Sequence, residues 1–257
     1  MPKGERLARI KQSPNFRDGA FQNQSVTPQL TDGATYGKVM KEFLFGRPKR
    51  ATPSSDIPSM KTDLLSLNRD ENILVWFGHS SYFMQIDGKR ILVDPVLSGS
   101  ASPFSFMTKA FKGADRYSTD DLPAIDYLFL SHDHYDHLDY KTIVKLKPKV
   151  HKIICGLGTG EHLEYWGYDH ERIIEKDWNE SFELDHGFTV HTVPARHFSG
   201  RWLKRNQALW TSFVLQTPHL RIFIGGDSGY DKHFAEIGNT FGGFDLAIME
   251  NGQYNKN

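Results

Sequence analysis

The sequence has one cysteine, no long apolar run and no excess charge of either sign. The single thiol, Cys155, excludes an internal disulfide framework and a metal site built from several thiolates. No apolar stretch approaches the ~20 residues needed to cross a bilayer. Residues 1–11 are basic and lack the apolar core of a secretory signal. We therefore expect a reducing, cytoplasmic setting.

The balance of charge bears on the partners of the chain. There are 31 Lys and Arg residues against 31 Asp and Glu, so the formal net charge is zero. No long-range field draws such a chain towards nucleic acid, and we expect no nucleic-acid partner. Hydrophobic residues at 39% and charged residues at 24% are typical of a globular protein, and 257 residues suffice for one sizeable domain.

What the sequence does have is a histidine-rich stretch. Residues 131–139 read Ser-His-Asp-His-Tyr-Asp-His-Leu-Asp, and with only 12 histidines in 257 residues, three within six positions is improbable by chance. Imidazole and carboxylate are ligand types that zinc and related ions bind. The alternative is a solvated polar loop. The stretch contains four candidate metal ligands: His132, His134, Asp136 and His137.

The neighbours of this stretch predict where it lies. The apolar run 125–130 predicts a buried strand before it, and the apolar spacing over 138–146 predicts a helix after it. In the extended part, alternate side chains point the same way, so the first two histidines can share one ion. Where the chain turns into the helix, the aspartate and the third histidine reach a second position, at the roughly 3.5–4 Å that separates paired catalytic ions.

Two further candidate ligands follow other predicted strands. His197 comes shortly after the strand 188–193, and Asp227 comes shortly after the strand 221–224, with glycines on both sides. Glycines permit a close backbone approach, and a carboxylate can bridge two cations. Considered alone, His197 has a simpler interpretation as a surface loop residue and Asp227 as a turn former.

The ligand motif resembles that of a known family. His132-x-His134-x-Asp136-His137 is similar to the motif of the metallo-β-lactamase superfamily, whose members are mostly metal-dependent hydrolases. The resemblance implies a first ion on His132, His134 and His197, a second on Asp136 and His137, and Asp227 in the bridging position. It implies two divalent ions, for which zinc fits the ligand set and manganese and iron use the same donors.

Many short strands with few intervening helices predict an α/β (α+β) fold of two mixed sheets packed face to face with helices outside. The four-layer αββα sandwich of the superfamily has that architecture. We expect residues 1–70 to form an N-terminal extension with a linker, and residues 71–257 to form the hydrolase-like domain. The family supplies one further histidine to the second ion, well beyond the Asp227 motif, and the sequence reaches Asn257 before such a residue appears. Neither His219 nor His233 is placed to substitute by motif. Either the chain is a fragment or the second ion is held loosely; we expect a fragment that lacks the C-terminal part of the sandwich.

A longer resemblance narrows the family. It covers residues 75–248 and points to the branch of the N-acyl-phosphatidylethanolamine-hydrolysing phospholipase D. Where that lipase has more polar side chains near its head-group pocket, this chain has Phe104-Ser105-Phe106. The blocks that carry the match include Gly78-His79-Ser80, Asp94-Pro95-Val96, Ala101-Ser102-Pro103, Asp177-Trp178 and Gly226-Asp227-Ser228-Gly229-Tyr230.

The resemblance predicts a mechanism. Two ions would lower the pKa of a bridging water from ~15.7 towards ~7, and the hydroxide would attack a phosphodiester phosphorus. We expect Asp136 and Asp227 to act as catalytic carboxylates that orient the hydroxide and accept its proton. Asp94 and His79 are candidates for orienting the ligating imidazoles from behind, with turn capping and loop packing as the alternative. No substrate-binding residue is identified from the sequence.

Other functions and partners stay open from sequence alone. The substrate could be a lactone or a phosphorylated sugar instead of a phospholipid, or the metal could stabilise a non-catalytic binding protein. A lipid substrate would require contact with a membrane surface, and the basic residues 47–50 could meet anionic lipid, although a solvated face is the commoner explanation. The loop 98–112 contains four large apolar side chains, which predicts either a lid over a pocket or packing beneath the loop.

Overall fold

A computed structural model describes residues 2–28, 30, 33–46, 52–104, 106–201 and 204–251. The basic cluster at residues 47–50 lies outside this set, as does Ser105. Within the described residues, no helix has both the length and the apolar character that crossing a membrane would require. The first elements in the chain are α1 (Gly4–Gln12), β1 (Phe16–Arg17), β2 (Ala20–Phe21) and α2 (Tyr36–Phe45).

The N-terminal segment, defined here as residues 2–28, packs on the rest of the protein. Ile10 of α1 and Phe21 of β2 are buried in one apolar cluster with Trp178 and Trp210. The side chain of Arg6 is only 9% exposed and forms ion pairs with Glu161, Glu164 and Glu175. The division of the chain near residue 70 stays a prediction, but these contacts tie the beginning of the chain to its middle.

The first sheet has six strands in the order β3-β4-β5-β6-β7-β8, and its first three strands are antiparallel while the others are parallel. The Asp87-Gly88 turn joins β4 to β5 with φ of 47° and 76°, the left-handed conformation that a two-residue hairpin turn needs. Helix α3 lies between β6 and β7 in the chain, and α4 between β7 and β8. The bounds are β3 (Ile73–Gly78), β4 (Ser81–Ile86), β5 (Lys89–Val93), β6 (Ile125–Leu130), α3 (Tyr140–Leu146), β7 (Val150–Gly156), α4 (Gly160–Tyr165) and β8 (Ile173–Lys176).

The second sheet has five strands in the order β15-β14-β13-β10-β9, antiparallel except for the β14–β15 pair. A separate two-stranded hairpin, β11 with β12, follows β10, and α5 lies between β14 and β15 in the chain. The bounds are β9 (Ser181–Asp185), β10 (Phe188–Val193), β11 (Gly200–Arg201), β12 (Lys204–Arg205), β13 (Ser212–Gln216), β14 (Arg221–Ile224), α5 (His233–Phe241) and β15 (Leu246–Ile248).

Alternation along the strands shows how the layers stack. Phe213 and Leu215 of β13 are buried in the core that joins the two sheets, whereas Val214 between them packs with Ile237 of α5. The side chains of the first sheet also alternate between two faces. One face packs on the second sheet, and the other packs on Ile143 of α3 and on residues of α4. The order helix, sheet, sheet, helix is therefore the predicted αββα sandwich. Fully burying one large apolar side chain contributes roughly 1.5–3 kcal/mol, so the inter-sheet core and the core beneath the helices both contribute to its stability.

Candidate metal centre

The predicted ligands lie on loops that leave the strands at one edge of the sandwich. Residues 131–139 follow β6 in the first sheet, while His197 and Asp227 follow β10 and β14 in the second. Ligands and substrates of open α/β sheets bind at the carboxyl ends of strands. The three loops converge, and all six predicted ligands belong to groups whose donor atoms lie within 4.8 Å of one another.

Three histidines form the first group of donors. Nδ1 of His134 lies 2.9 Å from Nε2 of His132 and 3.2 Å from Nε2 of His197. Ligand nitrogens around a tetrahedral zinc, each about 2.0–2.1 Å from the ion, are separated by roughly 3.3 Å. The three imidazole nitrogens therefore fit one divalent cation.

The second group contains carboxylates. Nε2 of His137 is buried, has no hydrogen-bond partner among the described residues, and lies 3.2 Å from Oδ1 of Asp227. An unpartnered buried ring nitrogen beside a carboxylate fits a metal ligand, because a buried polar atom without a partner is otherwise costly. Asp136 approaches the same nitrogen to 4.0 Å. Because the side chain of Asp227 also lies 3.7 Å from His197, it stands between the two groups.

Asp94 and Ser131 fix the orientation of two of these imidazoles. Oδ2 of Asp94 lies 2.9 Å from Nδ1 of His137 and accepts a hydrogen bond of 2.5 Å from the hydroxyl of Ser131. That hydroxyl in turn lies 2.9 Å from Nδ1 of His132. With Nδ1 of both rings occupied in this way, Nε2 of both rings is directed into the site, as a metal ligand requires.

His79 makes a different contact from the one predicted. Its Nε2 lies 3.0 Å from Oδ2 of Asp136, so it contacts the carboxylate of a candidate ligand and not an imidazole. The residue has a φ of 49° in the turn between β3 and β4, and its side chain is 55% exposed. His79, Asp136 and His137 together form one of the close donor groups.

Burial and charge set the protonation of the ligands. Burial lowers the pKa of His132 well below its ordinary value and that of His197 to about 4, so both rings are neutral near pH 7. Burial also acts to lower the pKa of His137, but the neighbouring carboxylates of Asp227 and Asp94 outweigh it and raise that pKa to about 10. A divalent cation would displace the proton that those carboxylates hold on His137.

Close backbone approach positions Asp227. A Cβ atom at Gly226 would lie 2.5 Å from Cβ of Ser131, so only glycine fits where these two loops meet. The start of β13 joins the same loops, because Thr211 donates its N–H to the carbonyl of Ser131 and Ser212 accepts the N–H of Gly226. The ligand loops of the two sheets are thus held against one strand.

The sequence pointed to the six candidate ligands that the structure brings together, but it missed some residues around them. Ser131 stood at the start of the histidine-rich stretch, where its spacing to the ligands gave no separate signal. Asn23, whose side chain bonds the backbone of His197, had no signal at all. A cavity of about 380 Å³ adjoins the ligand loop without including any of the six ligands, and its lining includes Ser98, Ser100, Tyr135, Tyr140, Trp166 and Arg201.

Comparison with known proteins places the chain in a family. The profile of the beta-lactamase superfamily domain matches residues 89–257, which include all six converging ligands. The chain belongs to the beta-lactamase superfamily. The two mixed sheets and their outer helices are the superfamily's fold.

Similar proteins include an uncharacterized protein, a phospholipase and a hydroxylase. The chain is 40% identical over 246 residues to an uncharacterized protein of Mycobacterium tuberculosis, covering 95% of this chain and 66% of that protein. It is 33% identical over 263 residues to N-acyl-phosphatidylethanolamine-hydrolyzing phospholipase D 1 of Caenorhabditis elegans, covering 91% of this chain and 69% of that enzyme. Among solved structures, the diiron β-hydroxylase CmlA of Streptomyces venezuelae shares the fold, with a TM-score of 0.53 and 22% identity over 69% of this chain and 34% of the other.

Proposed function

We propose that the protein is a metal-dependent phosphodiesterase of the phospholipase D type that acts on N-acylated phosphatidylethanolamine lipids. The observation that carries the proposal is the pair of adjoining donor groups, three histidines on one side and His137 with two carboxylates on the other, joined through Asp227. The similarity to the C. elegans lipase, at 33% identity, supports the substrate class. The resident ions would be two divalent cations, with zinc fitting the donors and manganese and iron able to use them.

The chain's own residues would hold the centre and move the proton. Divalent ions at this centre would lower the pKa of coordinated water towards ~7 and neutralise charge on the phosphoryl oxygens. Asp227, between the two groups, orients the attacking oxygen, and Asp136 is the more exposed carboxylate, with a side chain 38% exposed. Although burial opposes it, the hydrogen bond from His79 and the charge of His137 lower the pKa of Asp136, so it stays ionised and able to accept a hydrogen bond.

The surface around the centre supports a lipid substrate. On the loop after β5, Phe104, Phe106, Met107 and Phe111 are exposed, Phe106 to 73%, so they do not pack beneath the loop. The same loop lines the cavity through Ser98 and Ser100. Exposed apolar side chains beside a cavity that is lined by both polar and aromatic residues suit an amphiphile, whose tails and head group need different surroundings. Contact with a membrane surface follows from such a substrate and is part of the proposal.

The test uses defined lipids. The full chain is loaded with zinc or manganese and given N-acylated phosphatidylethanolamine in mixed micelles in ¹⁸O water. Phosphodiester hydrolysis forms a new bond from water oxygen to phosphorus, breaks the bond to the ethanolamide oxygen, and gives the proton to that leaving oxygen. We expect ¹⁸O in the phosphatidic acid and release of N-acylethanolamine. His132→Ala should abolish both, and His151→Ala, at an exposed histidine of β7, should not.

A hydrolase of a smaller substrate, such as a lactone or a phosphorylated sugar, is the second candidate. It is favoured by the cavity of about 380 Å³, which is at the small end of the roughly 300–1,000 Å³ of small-molecule sites. A panel of lactones and sugar phosphates, run with the same metals, separates it from the lipase. A protein that binds two ions and turns over none of these substrates would instead be a metal-stabilised binding protein.

A further inference from the structure

The His197 loop is held by hydrogen bonds outside any sheet. Arg196 donates its N–H to the hydroxyl of Ser228 at 3.0 Å, and its carbonyl accepts the N–H of Gly229 at 2.9 Å. Both partners belong to the loop that contains Asp227. These two hydrogen bonds fix the position of the His197 loop relative to the Asp227 loop.

The side chain of Asn23, from the N-terminal segment, forms hydrogen bonds with both the backbone N–H and the backbone carbonyl of His197. Oδ1 of Asn23 accepts the N–H of His197 at 3.1 Å, and Nδ2 of Asn23 donates to the carbonyl of His197 at 2.8 Å. The indole N–H of Trp210 also donates to Oδ1 of Asn23, at 2.9 Å, which fixes the amide in this orientation. A carboxamide can serve as donor and acceptor at once, which neither a carboxylate nor an apolar side chain can do.

Asn23 is itself firmly placed. Ile10 and Phe21 anchor the N-terminal segment in the apolar cluster that contains Trp210. Phe21 donates its N–H to the carbonyl of Asn206, a short distance along the chain from His197. Arg6 adds a nearly buried set of ion pairs to α4 and β8. The two bonds to His197 are therefore made by an ordered element and not by a loose tail.

We propose that Asn23 is a positioning residue of the metal centre, which holds the His197 backbone so that its ring completes the three-histidine group. The proposal rests on the proposed metal centre, and it gives the N-terminal segment a role in holding one of the ligands of that centre. His197 is the only ligand among the three histidines that comes from the second sheet, so its placement decides whether the group closes. Partners that orient a metal ligand commonly change metal affinity by about 10–100-fold.

The experiment measures metal binding by the full chain without substrate. Asn23→Asp keeps the size and the acceptor of the side chain but replaces the donor to the His197 carbonyl. Gln22→Glu makes the same amide-to-acid change one residue away, where the amide donates to the carbonyl of Arg17 and to Asp18 and not to His197. Calorimetric and visible-spectroscopic titration with Co²⁺ follows each binding step. We expect one step to weaken tenfold or more in Asn23→Asp, with altered d–d bands, and neither step to change in Gln22→Glu.

Thermal unfolding of the metal-free proteins separates positioning from general stability. A positioning role predicts that Asn23→Asp and Gln22→Glu unfold at similar temperatures while their cobalt affinities differ. Equal cobalt affinity and equal spectra in wild type, Asn23→Asp and Asn23→Ala would overturn the inference, and Asn23→Ala keeps the test available if the aspartate variant does not fold. Absence of lipid hydrolysis in the cobalt-loaded wild type would overturn the proposed function alone, because the affinity ratio is measured without substrate.

Discussion

Oδ2 of Asp94 lies 2.9 Å from Nδ1 of His137, and both side chains are almost completely excluded from solvent. The aspartate has a φ of 41°, a left-handed conformation that asparagine also tolerates. This pair sets which nitrogen of His137 faces the site. Because asparagine tolerates the same φ, Asp94 can be replaced by asparagine without disturbing the backbone.

Asp94→Asn should weaken metal binding by about 10–100-fold, because the neutral amide no longer stabilises the positive charge shared by His137 and the ion. Zinc affinity measured by competition with a chromophoric chelator checks this. Asp126→Asn is the matched control, since Asp126 lies near the start of β6 and bonds Arg69 and Arg90 instead. Equal losses in both variants would mean that Asp94 has no specific effect on the centre.

Gly226→Ala should disrupt the centre through sterics. The new Cβ would lie 2.5 Å from Cβ of Ser131, so the two ligand loops must move apart, at a cost of about 1–3 kcal/mol and a loss of metal affinity. Gly238→Ala in α5 is the control, because nothing lies within 4 Å of its added Cβ and alanine favours a helix by roughly 0.5–1 kcal/mol. Denaturant unfolding and zinc titration measure both effects. A Gly226→Ala protein with unchanged zinc affinity would contradict the geometry.

Asp227→Ala should lower the metal content below two ions and abolish hydrolysis, because this carboxylate stands between both donor groups. Metal content by mass spectrometry and turnover of the lipid are the measurements. Asp169→Ala, at an aspartate whose side chain makes no cap hydrogen bond, should behave as wild type. Full turnover by folded, metal-free Asp227→Ala would defeat the proposed mechanism.

The N-terminal segment should contribute a pH-dependent part of stability. The hydrogen bond from Arg6 lowers the pKa of Glu164 to about 2. A carboxyl group whose pKa is lower in the folded state stabilises the folded protein at pH values above its unfolded pKa of about 4.3. This stabilisation is lost as the pH falls towards 2. The partly solvated pair is worth about 1 kcal/mol. Glu164→Gln should therefore unfold more easily than wild type at pH 6 and no more easily at pH 2, as urea titrations at each pH would show. Exposed Glu171→Gln should match wild type at both.

Sequence patterns predicted most of the sandwich because its strands have clear signals. The Asp87-Gly88 turn and the largely apolar run of β6 have local signatures, and the structure has both where they were predicted. Several elements were missed, among them α1, β8, β9 and the short strand pairs β1–β2 and β11–β12. Helix α1 buries only Ile10, and β9 buries only Leu184 among polar neighbours, so neither has an apolar face long enough to recognise.

The candidate site likewise contains residues that the sequence indicated and residues that it did not. The four candidate ligands of residues 131–137 could be predicted because they are neighbours in the chain, while His197 and Asp227 became candidates only through their order after strands. Asn23 lies 174 positions from His197, and its role comes from an amide meeting a peptide group across the fold. No pattern in one sequence encodes such a contact, because asparagine in a loop is ordinary.

Strand β13 has two tasks at once. Its Phe213 and Leu215 face the neighbouring sheet, and the residues at its start bond the Ser131 and Gly226 backbones. A shift by a single residue would turn every side chain of a strand to the opposite face, and here it would also break both tethers. Variants that repack the apolar core far from the candidate metal centre should therefore weaken metal binding before they unfold the protein, so metal affinity would report on the alignment of this strand.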